Sequence, residues 1–95
     1  MTKEQCYIKE CIAILSSIKD PKLLEAFLVD ILTPVEMGEV AKRWQIILKL
    51  ERGESQRQIA KDLGVGIATV TRGSKELANK KGGFRQVLDM YNKKR

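Results

Sequence analysis

Apolar residues recur at intervals of three and four along the first half of the chain, and polar residues fill the positions between them. Ile8, Cys11, Ile12, Leu15 and Ile18 keep this spacing, which puts them on one face of an amphipathic helix ended by the Asp20-Pro21 pair. Pro21 opens a second helix, with Leu24, Phe27, Leu28 and Ile31 on one stripe and Leu23 and Leu32 flanking it. Thr33-Pro34-Val35-Glu36 then spells a helix start: Thr33 as N-cap, Pro34 at the first helical position, and Glu36 returning a capping-box bond. From there to about Glu51, Met37, Val40, Ala41, Trp44, Ile47 and Leu48 form one apolar face, and Ile46 and Leu50 add a second. A helix apolar on two sides is expected at the centre of its neighbours, with Trp44 in the core.

The second half is punctuated by glycine. Gly53 closes the central helix, and Ser55 with Gln58 three residues on reads as a second capping box opening a short helix from about Gln56 to Leu63. Gly64-Val65-Gly66 is a turn, another helix runs from about Ile67 to Ala78, and Gly82-Gly83 breaks the chain before a last helix through Val87, Leu88 and Tyr91. The expectation is an all-α chain of six helices. It reads as a single domain over 1–95, with a dimerisation core at 1–51, a helix-turn-helix at 55–77 and a C-terminal helix at 83–95.

Within QRQIAKDLGVGIATVTRG the residue types fall where two short helices crossing steeply demand them. Ala60 is small at the crossing, Ile59 and Leu63 face inward, Gly64 supplies a left-handed turn residue, and Val65 and Val70 plug the angle. The outward face of the second helix carries small, polar or basic groups that suit the walls of a DNA groove: Gly66, Ala68, Thr69, Thr71 and Arg72. In helix-turn-helix docking the N-terminal residues of the second helix meet base edges, so Ile67, Ala68 and Thr69 are the candidate base readers. Arg57 is placed to reach guanine or phosphate. Gln56, Thr71 and the lysines Lys61, Lys75, Lys80 and Lys81 are candidates for backbone contacts, which set register without reading sequence.

Charge sharpens this picture. Residues 1–51 hold seven Lys/Arg against eight Asp/Glu, whereas 52–95 hold eleven against four, so the net charge of +6 resides in the half with the hairpin. That segregation favours an anionic partner such as double-stranded DNA. An apolar content of 43% is more than a thin core of 95 residues needs, and a core shared between two copies answers it. Cys6 and Cys11, five apart and therefore about 140° apart around a helix, form neither a zinc spacing nor a disulfide framework; they read as reduced thiols of a cytoplasmic protein. The N-terminus has no signal-peptide pattern, no apolar run is long enough to span a membrane, and with no histidine and no nucleophile beside a base the chain is not expected to be an enzyme.

From Leu32 to about Leu77 the residues resemble the bacterial tryptophan repressor family. The likeness is carried by LTP at Leu32 to Pro34, Arg43, RGE at Arg52 to Glu54, SQR at Ser55 to Arg57, and above all GIATVTRGS at Gly66 to Ser74. The resemblance implies an intertwined homodimer of six-helix subunits whose recognition helices suit operator DNA when L-tryptophan is bound. It further implies that Arg43 and Arg72 sandwich the indole ring, with Arg72 also pairing with the carboxylate. Thr33 would help hold that carboxylate from the other subunit, in addition to capping its own helix, and the Gly73 carbonyl would face the indole nitrogen. Where the family carries a serine near the ligand's ammonium group, this chain has Glu76. A carboxylate there either pairs with the ammonium or marks a different effector. Two readings follow: a repressor of tryptophan biosynthesis or uptake genes gated by L-tryptophan, or a related helix-turn-helix repressor with another effector or none.

Overall fold

Six helices make up the described residues, 1–93, of the computed structural model: α1 (Lys3–Ser17), α2 (Pro21–Ile31), α3 (Pro34–Glu51), α4 (Gln56–Leu63), α5 (Ile67–Ala78) and α6 (Gly83–Lys93). No strand occurs among the described residues. Positions 94 and 95 of the expected C-terminal helix lie outside them. The chain divides into two compact units, Met1–Met37 and a second from Gly38 onward.

In the first unit, helix ends follow local chemistry. α1 starts earlier than its apolar stripe implies, because Thr2 and Gln5 close a capping box: the Gln5 N–H donates to Thr2 Oγ1 at 3.1 Å and the Thr2 N–H to Gln5 Oε1 at 2.7 Å. Asp20 caps α2, accepting from the Lys22 N–H at 3.1 Å, with Pro21 at the first helical position. The box expected before α3 is present in both halves. The Glu36 N–H donates to Thr33 Oγ1 at 3.1 Å, and the Thr33 N–H donates to Glu36 Oε1 at 2.9 Å. The latter bond holds the Glu36 carboxyl below the usual carboxylate range. Neither α1 nor α2 buries a residue among those described. Cys11, Leu15, Leu24, Phe27 and Leu28 are half-buried, while Ile8 and Ile12 remain 52% and 56% exposed.

The second unit is organised around α3. Ile46 and Ile47 are consecutive, so they leave the helix about 100° apart, and both are buried. Ile46 packs with Ile59 of α4 and Val70 of α5, against which Leu50, Ala60, Leu63 and Val65 close in. Ile47 packs with Leu77 of α5 and Leu88 of α6, flanked by Trp44, Leu48, Leu50 and Phe84. The two-sided apolar pattern thus has a cluster on each side, and Trp44 belongs to the second, its ring 6.4 Å from that of Phe84. Burying each of these isoleucines stabilises the unit by about 1.5–3 kcal/mol. Across the outside, Arg85 of α6 donates two bonds to the Glu51 carboxylate at 2.9 and 3.0 Å, tying α6 to the end of α3.

One expectation needs correction. Ser55 caps α4, accepting from the Gln58 N–H at 3.1 Å, but the Gln58 amide does not complete the box. Closing the box would require Gln58 Oε1 to accept from the Ser55 N–H; the amide turns the other way, its Nε2 donating to Asp62 Oδ1 at 2.7 Å, one turn on. In α6, Leu88 is buried but Val87 and Tyr91 are 45% and 46% exposed, and Phe84, one turn before Leu88, supplies the second inward contact.

Candidate functional site

The hairpin is built by α4, the turn and α5. Gly64 takes the left-handed conformation at φ 63°, which a residue with a Cβ rarely adopts. Its N–H donates to the Lys61 carbonyl at 3.3 Å and the Val65 N–H to the Ala60 carbonyl at 3.1 Å, so the last turn of α4 is closed while the chain reverses. Ile59 and Val70 are fully buried in the angle, with Ala60 and Val65 packed against them. Ile59, Ala60, Gly64, Val65 and Val70 take the places expected of them, whereas Thr71, expected on the outward face, is half-buried.

The hairpin also has a polar tie that the sequence does not announce. Thr71 Oγ1 donates to Gln56 Oε1 at 2.8 Å, joining the first residue of α4 to the middle of α5. This engages the Gln56 side-chain oxygen. Arg57, Gly66, Ile67, Ala68 and Thr69 are all exposed. Gly66 is the N-cap of α5 and has no side chain with which to cap it; the Thr69 N–H donates to the Gly66 carbonyl at 3.1 Å.

On its other side α5 forms one wall of a cavity of about 440 Å³. Arg72, Gly73 and Glu76 of α5 line it, and Arg43 and Ile46 of α3 stand across from them. Ala68 and Thr69 reach the same cavity from the first turn of α5, and Phe84 closes it from α6. Four of the five candidate ligand residues, Arg43, Arg72, Gly73 and Glu76, are therefore brought together. Thr33 belongs to the first unit, where its hydroxyl is engaged in the cap of α3. Arg43, Arg72 and Glu76 are exposed.

Gly73 has a steric reason to be glycine. A Cβ on it would stand 3.0 Å from Ile46 Cγ2 and 3.6 Å from Ile47 Cδ1. Since both isoleucines are buried and branched at Cβ, they have little room to give. The missing side chain lets α5 lie directly on α3, which is what sets Arg43 and Arg72 around one opening. Ile46 and Phe84 are lining residues that sequence reasoning missed; their apolar character signals core, and nothing local distinguishes a core wall from a cavity wall.

Among the described residues no group of three His, Cys, Asp or Glu side chains is arranged to hold a metal ion, and no helix is long and apolar enough to cross a membrane.

Comparison with known proteins gives a consistent result. The family model described as Trp repressor protein matches residues 7–92. A Trp operon repressor homolog of Vibrio parahaemolyticus serotype O3:K6 is 42% identical over 73 residues, covering 76% of this chain and 71% of the relative. A protein of the same description from Vibrio campbellii is also 42% identical over 73 residues, 76% of this chain and 73% of its own length. Another, from Aliivibrio salmonicida, is 34% identical over 89 residues, spanning 88% of this chain and 82% of the relative.

Proposed function

This chain belongs to the Trp repressor family, and on that premise we propose that it is a homodimeric transcriptional repressor that reads operator DNA with α4 and α5 and takes L-tryptophan as corepressor. The observation that carries the reading is the double use of α5. Its first turn presents Ile67, Ala68 and Thr69 outward, while Arg72, Gly73 and Glu76 line a cavity opposite Arg43.

In this reading the indole ring lies between the guanidinium planes of Arg43 and Arg72, a stacking geometry that arginine favours and lysine does not. A ligand so held bridges α3 and α5 and fixes the attitude of the hairpin against the helix behind it. Two copies present two recognition helices about 34 Å apart, one turn of DNA, to a near-palindromic operator. Ligand promotes DNA binding only insofar as it binds the DNA-competent attitude more tightly than the others. Gln56, Arg57, Thr71 and the lysines around α5 supply phosphate contacts, which the segregated positive charge of residues 52–95 supports. The exposed apolar residues of α1 and α2 supply the shared core of the dimer.

The test is to select operators from a random duplex library and measure affinity by fluorescence anisotropy with and without L-tryptophan, for the natural chain and for Arg72→Ala. Tryptophan is expected to tighten operator binding by about tenfold or more, within the usual range of allosteric coupling, and Arg72→Ala to erase that response. Equal affinity with and without the amino acid rejects tryptophan gating. Glu76 is the observation that favours a second reading, in which the same cavity serves a different effector.

A further inference from the structure

Two guanidinium groups and one carboxylate line the same cavity, and among the described residues none of the three is in an ion pair. Arg72 and Glu76 stand one helical turn apart on α5, a spacing at which opposite charges commonly meet, yet they do not pair. Each remains available to a guest. Between them the walls are apolar: Ile46 from α3, Phe84 from α6 and the bare backbone of Gly73. The volume of about 440 Å³ lies in the range of small-molecule sites.

We infer that Glu76 makes this cavity selective for zwitterions: its effector is a free α-amino acid with an apolar side chain, and the matching carboxylic acid without the ammonium group is rejected. The inference rests on reading the cavity as the effector site. A guest carboxylate pairs with Arg72, and its apolar body, held between the Arg43 and Arg72 guanidinium groups, reaches Ile46 and Phe84. If the guest lacks an ammonium group, closing over it strips water from the Glu76 carboxylate with no cation to replace that water, and sets a second carboxylate nearby. Both effects oppose binding. An ammonium group turns the same carboxylate into a partner. An amine without a carboxylate fails for the opposite reason, since it meets two guanidinium groups and only one acid.

The experiment is isothermal titration of the full chain, with folding checked by circular dichroism, using three matched pairs: L-tryptophan and indole-3-propionate, L-phenylalanine and 3-phenylpropionate, L-leucine and 4-methylpentanoate. At least one amino acid is expected to bind about tenfold or more tighter than its des-amino partner, as a charge pair desolvated on binding predicts. Glu76→Gln is expected to reduce that preference to about threefold or less, mainly by admitting the des-amino acid. Equal binding of both members of every pair that binds overturns the inference, as does a preference that survives Glu76→Gln. If the preference appears for phenylalanine or leucine while tryptophan gives no heat, the inference stands and tryptophan gating falls. If tryptophan binds but the preference survives the substitution, gating stands and the inference falls. No heat from the folded protein with any of the six overturns both.

Discussion

The two units of this chain solve the burial problem differently. From Gly38 onward, α3 is enclosed on two sides and six side chains, Ile46, Ile47, Ile59, Val70, Leu77 and Leu88, are buried in two clusters. In Met1–Met37, α1 and α2 carry comparable apolar stripes and bury nothing among the described residues; Ile8, Ile12, Leu23, Val29 and Ile31 all remain largely exposed. A surface of this kind is unusual for a protein that stays alone in water. The difference teaches that helical periodicity identifies a face requiring cover without naming the molecule that covers it. In the second unit the cover is local chain, and in the first it is expected to be a second copy.

Charging the exposed face is the strongest way to break this contrast. On the proposed dimer reading, the natural chain is expected to sediment as a dimer, and Ile8→Asp with Ile12→Asp to sediment as a monomer at the same concentration and to lose operator binding. A charged variant that stays dimeric would move the subunit interface elsewhere. Next in size, Ile47→Ala should cost about 2–5 kcal/mol in urea unfolding, because a fully buried branched side chain leaves a cavity. Ile12→Ala should cost under about 0.5 kcal/mol in the monomer and more as protein concentration rises, since a partner that binds only the folded state adds stability by mass action. Equal costs for the two alanine variants at high dilution would erase the distinction between the units.

Gly73→Ala sharpens the comparison inside the second unit. With its Cβ 3.0 Å from Ile46 Cγ2, the variant should lose about 1–3 kcal/mol through overpacking and bind amino acids more weakly in titration. Smallest of all is the effect of Glu51→Gln. The hydrogen bonds from Arg85 hold the Glu51 carboxyl below its ordinary range, so its contribution to stability is present above the unfolded-state value of about 4.3 and is lost as pH falls through the lower folded value. Natural chain and variant should therefore differ slightly at pH 7 and converge in acid; a gap that widens in acid would contradict the assigned cause.

Much of the fold can be read from local signals, because caps and turns are chemistry between near neighbours. Thr33, Pro34 and Glu36 place the start of α3, Asp20 and Pro21 the start of α2, and Gly64 the turn of the hairpin. Thr2 and Gln5 carry an equally local signal for α1, one that the apolar stripe does not contain. What escaped depends on competition or on distance in sequence. The Gln58 amide has two options, accepting from the Ser55 N–H or donating to the Asp62 carboxylate, and it takes the second. Thr71 and Gln56, 15 residues apart, find each other only after the hairpin has folded. The candidate ligand residues Arg43, Arg72, Gly73 and Glu76 were named through family resemblance, whereas the steric reason for Gly73 and the presence of Phe84 in the same cavity depend on how helices pack.

Ala68 and Thr69 belong to the cavity wall and also to the leading turn of α5. A substitution at either is therefore pleiotropic: it edits what the helix offers outward and reshapes the chamber behind it in one step. On the proposed function, a replacement at either position is expected to alter operator preference and effector response together. A new side chain at the tip is accommodated without loss of the chamber only if a facing residue, Ile46, Arg43 or Phe84, changes with it.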